Sequence, residues 1–370
     1  LSPSCPSYTT NLHIHSLHLR NVTFFSFFSE LHHSNPVATT IMETAAISAV
    51  FLVSVAANAG AAVLVTCGRR LLANKTILTL NLFVADLLFV SMIPLIVTVR
   101  WTVSWELGYA ACHTLLYVIC MSGCVAITTL ASISVERVQA ILRLQTVPSL
   151  APRMVTVTLV FIWAFSALTS LPLSLFFTPC PCLLLSPQEH GHICTLKWPD
   201  PAGEIVWNVV FTALSFLFPG LIILVSYSKI LQIAKNCRLR LRPRDHQHPN
   251  GDSPNYYISR QDMKLFRTML VLMLSFLVTW SPIFIIFFII LAHNIQGHIY
   301  VSSTMFFWVV TFTLANSALN PILYSVCQFK NSWRKRCCGS VVFPVRKRPT
   351  TLHTSAQRNS ISHQDDVTLL

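Results

Sequence analysis

Asp86 lies inside "LNLFVADLLF", an acid in the middle of an apolar run, and Arg100 lies in "VTVRWTVSW", a cation at the end of one. Ionised groups are expensive in such surroundings, so each needs a partner or a task. Asp86 calls for polar neighbours. Asn58, Asn316 and Asn320, also embedded in apolar runs, are the candidates. Two readings follow: a polar cluster that glues helices, or a hydrated switch that rearranges with conformation. Arg100 precedes Trp101 and Trp105. It either meets an anion there or reaches up to water as an interfacial anchor. Other chemistry is not provided for. No nucleophile, histidine and acid form a set, and there is no phosphate loop, so neither an enzyme nor a cofactor is expected. His13, His15, His18, His32 and His33 scatter along one stretch, and no carboxylate or cysteine completes a metal site with them, so a loose tail is the expectation.

The elements that hold these residues are set by composition. Of 370 residues, 53% are hydrophobic and only 11% are charged, against roughly 25% charged in soluble domains. Seven stretches, near 42–67, 76–99, 110–135, 154–177, 205–228, 266–292 and 300–326, are long and apolar enough to cross a bilayer core as helices. The expected fold is an all-α membrane protein, a seven-helix bundle. With the N-terminus outside, the outer segments hold only Arg20, Arg100 and Lys197 among 26 basic residues, which sorts the charge to the inner side. The net charge of +13 is then read against membrane lipids of the inner leaflet and cytoplasmic partners. Nucleic acid is excluded, because no soluble basic face is present. The domains expected are an outer tail over 1–41, a membrane body over 42–328, a short amphipathic helix over 329–338 and a polar cytoplasmic tail over 339–370.

The N-terminus lacks a signal-peptide pattern, so the first apolar run is expected to act as its own insertion signal. Asn21 opens a glycosylation sequon on the outer side. Twelve cysteines do not make a disulfide framework, since most fall in membrane or cytoplasmic stretches. Cys112, at the outer mouth of the third run, and Cys194, in a long outer loop, could bridge and pin that loop over the bundle. The pairing of Cys5, Cys180 and Cys182 stays open.

Taken in order along the helices, Asn58, Asp86, Glu136-Arg137, Trp163, Pro219, "TWSPI" around Trp280 and "NPILY" from Asn320 through Pro321 to Tyr324 resemble the signature of rhodopsin-like G-protein-coupled receptors. The resemblance covers about 285 residues, with one match per helix in the expected order. It implies that Arg137 pairs at rest with Glu136 and with an acid on the sixth helix. Asp262 lies eighteen residues before Trp280 and so falls on the same side. It implies roles in activation for Tyr227 and for the trio Ile127, Pro219 and Phe276. Pro219, Pro282 and Pro321 would kink their helices and supply hinges with two packings. The sequence departs from the family at Val138, where tyrosine is usual, at Thr279, where cysteine is usual, and at Ala126, which replaces a hydroxyl of the family's sodium pocket.

The ligand is narrowed by what is missing. The outer half of the third helix presents Leu116, Ile119, Cys120 and Gly123 with no acid, against a monoamine, and the seventh helix has no lysine for a retinal Schiff base. Trp207, Phe211 and Ser215 follow one another at helical spacing on the fifth helix, and Trp280, Phe284 and Phe287 on the sixth, with Ile283 beside them. Phe89, Phe306 and Phe307 add rings from the second and seventh, and Trp105 and Trp198 from the loops. Such stripes serve either as core or as a hydrophobic ligand tunnel. In detail, "LNLFVADLLFVSMIPLIVTVRWT", "SYSKILQI", "DMKLFRT" and "FFWVVTFTLANSALNPILY" are similar to the long-chain fatty acid receptors of that family. That similarity implies a receptor for medium- and long-chain fatty acids, omega-3 chains included, with Arg100 facing the carboxylate and the rings cradling the tail. It also implies coupling mainly to Gq/11, with Gi as a second partner. The alternatives are a receptor for another lipid and, further off, a seven-helix transporter.

Beyond 340 the chain is polar, and Thr351, Thr354, Ser355, Ser360 and Ser362 are candidate sites for receptor kinases, whose phosphates would recruit arrestin. Cys337 and Cys338 follow the short amphipathic helix and are candidate palmitoylation sites. A plasma-membrane location, with endosomes after internalisation, completes the expectation.

Overall fold

Prolines and turn residues decide where the apolar runs begin and bend. The computed structural model describes residues 25–29, 36–67, 74–143, 152–183, 190–240, 260–296 and 301–338. Helix α1, Pro36–Cys67, opens on a proline, whose fixed φ and missing N–H suit a first turn. It therefore starts six residues before the expected boundary at 42, inside what the sequence assigned to the tail. The second span is two helices, α2 (Asn74–Val90) and α3 (Ile93–Thr102), broken by a turn at 91–92. Pro94 in the first turn of α3 cannot donate to the preceding turn, and Ser91 Oγ takes the Leu88 carbonyl there at 2.6 Å. Helix α3 runs on to Thr102, which puts Arg100 in its last turn. Val103 stops it at φ 61°, a left-handed setting uncommon for a β-branched residue, with its N–H on the Val99 carbonyl.

Helix α4, Gly108–Arg143, is among the most deeply buried elements, like the span that opens at Ser303, whereas α1 and α5, Pro152–Phe176, are mostly exposed at the periphery. Its hydroxyls at Ser122, Thr128, Ser132 and Ser134 fold back on carbonyls of its own preceding turn, which satisfies them without water. The long loop after α5 is a hairpin, β1 (Phe177–Leu183) and β2 (His190–Leu196), antiparallel with Phe177 opposite Leu196 and Cys180 opposite Ile193. A hairpin thus stands where a long outer loop is expected from the sequence. Cys112 and Cys194 are joined, Cα to Cα 5.6 Å, so the hairpin is tied to the first turns of α4. Cys180 is disulfide-bonded as well.

Helix α6, Pro201–Thr212, starts at an Asp200 cap whose carboxylate accepts the Gly203 N–H at 3.1 Å. A π-helical turn, Ala213–Leu217, separates it from α7, Phe218–Arg240. The bulge ends two residues before Pro219, whose ring and missing N–H disrupt the regular ladder four residues back, inside the π turn. Helices α8 (Arg260–Gln296) and α9 (Ser303–Cys338) run through Pro282 and Pro321. Together these elements give seven spans long and apolar enough to cross a membrane. Residues Leu1–Gln328 form one compact unit and Phe329–Leu370 another; the second is described only as helical backbone to Cys338, which takes in the expected amphipathic stretch at 329–338.

Candidate functional site

Five spans bring one side of each helix to a narrow chamber. Phe89 comes from α2; Leu116, Ile119, Cys120, Cys124 and Ile127 from α4; Phe211 from α6; Trp280, Ile283, Phe284 and Phe287 from α8; Val310 and Thr313 from α9. Among the described residues no charged side chain lines it. The Thr313 hydroxyl is already spent on the Thr279 and Val309 carbonyls at 3.1 and 2.9 Å, leaving a wall of rings, aliphatics and thiols. Nine residues expected as ligand contacts stand on this wall. Cys124, Val310 and Thr313 join them unforeseen, and Ile127, expected in the switch, faces the chamber too.

The remaining expected contacts lie behind or above it. Gly123 is the place where the floor is made. A Cβ there would meet the Trp280 ring at 2.5 Å, so only glycine admits the indole at this depth. Trp280 stacks on Phe89 at 5.3 Å and approaches Phe276 at 6.2 Å, and its N–H has no hydrogen-bond partner among the described residues. Packing alone holds it. Trp198 and Trp207 belong to a row of rings that enters from the hairpin base. Phe176 to Trp198 is 4.4 Å, Trp198 to Trp207 5.7 Å, Trp207 to Phe211 4.8 Å and Phe211 to Phe284 6.0 Å. The row continues through Phe216 to Phe276 at 5.8 Å, which joins the wall to the trio expected for activation. Ser215 is fully buried in the π turn and lines no described cavity. Trp105 lines a second, smaller cavity with Phe27, Phe28, Cys112, Phe177 and Cys194, and Leu116 belongs to both.

Arg100 has a partner the sequence reading did not consider. Its Nε and Nη2 donate to the two oxygens of Glu43 in α1 at 2.8 and 2.9 Å, and Nη1 donates to the Phe28 carbonyl at 3.0 Å. Nη2 also reaches the Thr304 hydroxyl at 3.3 Å, and the guanidinium lies 5.3 Å over the Phe307 ring. The two side chains are 3% and 0% exposed, so this arginine is not an anchor reaching for water. The signal for Glu43 was available: it is a lone acid among apolar residues, the same argument that singled out Asp86. Phe25, Phe27 and Phe28, read as tail, are buried in the core. Their clue was the density of aromatics in "TFFSFF".

Below the chamber, Asn320 Nδ2 donates to Asp86 Oδ2 at 3.0 Å, as expected. Asn58 does not join that pair. Its amide takes the Ser54 and Ser317 carbonyls at 2.9 and 3.0 Å, because α1 packs on α9 there, and the Ser54 and Ser317 hydroxyls meet at 2.6 Å. Asn316 is buried, and its Oδ1 has no hydrogen-bond partner among the described residues. Trp163 donates to Asn81, which donates to Thr129, so Asn81 is a joint between three helices that the sequence reading passed over. At the far end Arg137 Nε lies 3.6 Å from Glu136, both partly buried, with Tyr227 buried on α7. Ile127 and Phe276 are fully enclosed, and Pro219 is buried. The side chains of Asp262, Tyr324, Cys337 and Cys338, and all of Asn21, Thr351, Thr354, Ser355, Ser360 and Ser362, lie outside the described residues. Among the described residues no group of histidines, cysteines and acids could hold a metal.

Residues 57–324 match the 7 transmembrane receptor (rhodopsin family) model. The free fatty acid receptor 4 of Mus musculus is 44% identical over 98% of this chain and 99% of its own length. That of Rattus norvegicus is 45% identical over 92% of this chain and 93% of its own. A more distant relative, the somatostatin receptor type 5 of Rattus norvegicus, is 31% identical over 70% of this chain and 67% of its own.

Proposed function

The chain belongs to the rhodopsin family of seven-transmembrane receptors, and from that premise we propose that it is a plasma-membrane receptor, N-terminus outside, for medium- and long-chain free fatty acids, omega-3 chains included. It is a multi-pass membrane protein and a receptor rather than an enzyme. Its mouse and rat relatives are named free fatty acid receptors, which supports this ligand class.

The observation that carries the proposal is the chamber wall, continuous in rings and aliphatics from Phe287 to Trp280 and without a charge. Such a wall takes an acyl chain. Each buried CH₂ contributes about 0.8 kcal/mol relative to water, and less when the chain arrives from lipid. Ring faces and edges along the path favour bent, unsaturated chains over straight ones by shape and π contact. The carboxylate stays at the mouth end, because nothing along the chamber would receive its charge.

An acyl chain pushed to the chamber floor meets Trp280, which only packing restrains. Displacing that ring moves Phe276 and Phe216 with it and so acts on the π turn and on α8. The resting state held by Arg137 with Glu136, and by Asp262 in the same set, then gives way to one whose cytoplasmic ends of α4 and α8 part. A Gα subunit, mainly of Gq/11 with Gi second, enters there, and it carries out the nucleotide chemistry. Phosphorylation at Thr351, Thr354, Ser355, Ser360 and Ser362 by receptor kinases recruits arrestin and sends the receptor to endosomes.

Purified receptor with Gq tests this directly. Docosahexaenoate is expected to accelerate guanine-nucleotide exchange, while an amine and a steroid at equal concentration leave it unchanged. Exchange driven by the steroid instead would replace the acid by another lipid.

A further inference from the structure

Three side chains from three different elements grip the backbone of residues 25–29. Arg100 of α3 donates to the Phe28 carbonyl at 3.0 Å, Thr195 of β2 to the Phe25 carbonyl at 2.9 Å, and Ser303, which opens α9, to the Ser29 carbonyl at 2.7 Å. The rings of the segment point into the bundle, Phe27 2% and Phe28 3% exposed. All three meet Phe306, at 5.9, 5.1 and 5.3 Å for Phe25, Phe27 and Phe28, and Phe306 in turn lies 6.4 Å from Phe287 of the chamber wall. The segment thus rests on the upper edge of the chamber. Among the described contacts, these three hydrogen bonds and the buried rings hold it there.

Arg100 is the charged member of that grip, and Glu43 occupies its bidentate face at 2.8 and 2.9 Å. A guanidinium offers five donors in a rigid fork; Glu43 holds the Nε/Nη2 edge, and Nη1 and Nη2 at the other end are on the Phe28 carbonyl and the Thr304 hydroxyl, so a second carboxylate would have to displace a partner already in place. Arg100 lines neither described cavity. We propose that residues 25–29 are a plug completing the outer wall of the chamber, that the Arg100–Glu43 pair is its latch, and that Arg100 is a positioning residue acting on ligand binding through Glu43 and the Phe28 carbonyl. The plug itself stands apart from the ligand's identity; its effect on fatty-acid binding rests on the reading given above.

The sign of the Glu43 effect separates this latch from a direct anchor. An arginine that receives the ligand's carboxylate is released for that task when Glu43 is neutralised. An arginine that latches the plug is disarmed by the same change. The experiment measures hydrogen exchange across 25–29 in ligand-free receptor in nanodiscs, together with docosahexaenoate binding, for wild type, Arg100→Gln and Glu43→Gln. A further variant combines Thr195→Val with Ser303→Ala and leaves the ion pair in place. Both charge variants are expected to speed exchange at 25–29 about tenfold or more and to weaken binding, each in the same direction, and the Thr195/Ser303 variant to change both quantities less but with the same sign. Glu43→Gln that strengthens binding or leaves it unchanged while Arg100→Gln weakens it overturns the latch, as does unchanged exchange at 25–29 in both. Should the charge variants not fold, the Thr195/Ser303 variant decides alone, and wild-type values in it overturn the plug. Wild-type receptor that binds no docosahexaenoate removes the fatty-acid reading and leaves the exchange arm to judge the plug.

Discussion

Gly123 shows how one missing side chain shapes the chamber. A Cβ at this position would press on Cη2 and Cζ3 of Trp280 at 2.5 and 2.9 Å, and Phe89 closes the third side at 3.5 Å. Overpacking of a filled interior costs about 1–3 kcal/mol. Gly123→Ala is therefore expected to lift the indole toward the chamber and weaken docosahexaenoate binding about tenfold or more, with surface expression retained; a radioligand saturation experiment reads this. Asp86 gives a second test. Asn320 is its hydrogen-bond donor at 3.0 Å in a fully buried setting, and leaving such a group without its donor costs about 1–3 kcal/mol. Asn320→Ala is expected to lower the thermal unfolding temperature of the ligand-free receptor by several degrees, measured in detergent, while Asn58→Ala acts through the α1–α9 contact instead. At this scale the sequence was informative wherever a polar residue was surrounded by apolar ones. Asp86, Asn320 and Arg100 announced themselves that way. Their partners did not all follow, because register between helices is not written in either helix alone: Asn58 met backbone carbonyls and Arg100 met Glu43.

The elements divide by what determines them. Span number and type followed from run length, because a backbone crossing lipid must close its hydrogen bonds within a helix. Ends were less legible. Pro36 extends α1 outward, and Val103 rather than any glycine or proline stops α3. The hairpin was not visible because its strands lack a clear alternation, "FTPCPCL" carrying two prolines. It exists because the Cys112–Cys194 bond and the Trp105 backbone N–H on the His192 carbonyl at 2.7 Å hold it against the helix ends. A native disulfide contributes about 2–4 kcal/mol. Replacing Cys112 and Cys194 together by serine is expected to raise hydrogen exchange in 190–196 and to weaken ligand binding, since Thr195 loses its fixed place beneath Phe25. Unchanged exchange in β2 would show that its backbone contacts alone hold it.

At the scale of the molecule, two ends of one bundle are linked by rings. The row from Trp198 through Phe284 to Phe276 and Trp280 ties the chamber to the middle of α8, and Asp86, Asn320 and the Arg137–Glu136 pair continue on neighbouring helices toward the other end. On this account the ligand acts only by its different affinity for two packings of those helices, so its effect is bounded by that difference. The chamber was readable from stripes at helical spacing. The plug was not, because it needs three elements distant in sequence to meet five residues of a segment that composition alone assigns to a tail.

The decisive measurement is a distance. Spin labels placed at the cytoplasmic ends of α4 and α8 in receptor held in nanodiscs with Gq report their separation by double electron–electron resonance. With docosahexaenoate bound, as established on the same sample by ligand depletion, the account predicts a shift of the population to a distance longer by several ångströms. A bound ligand with an unchanged distribution would contradict it.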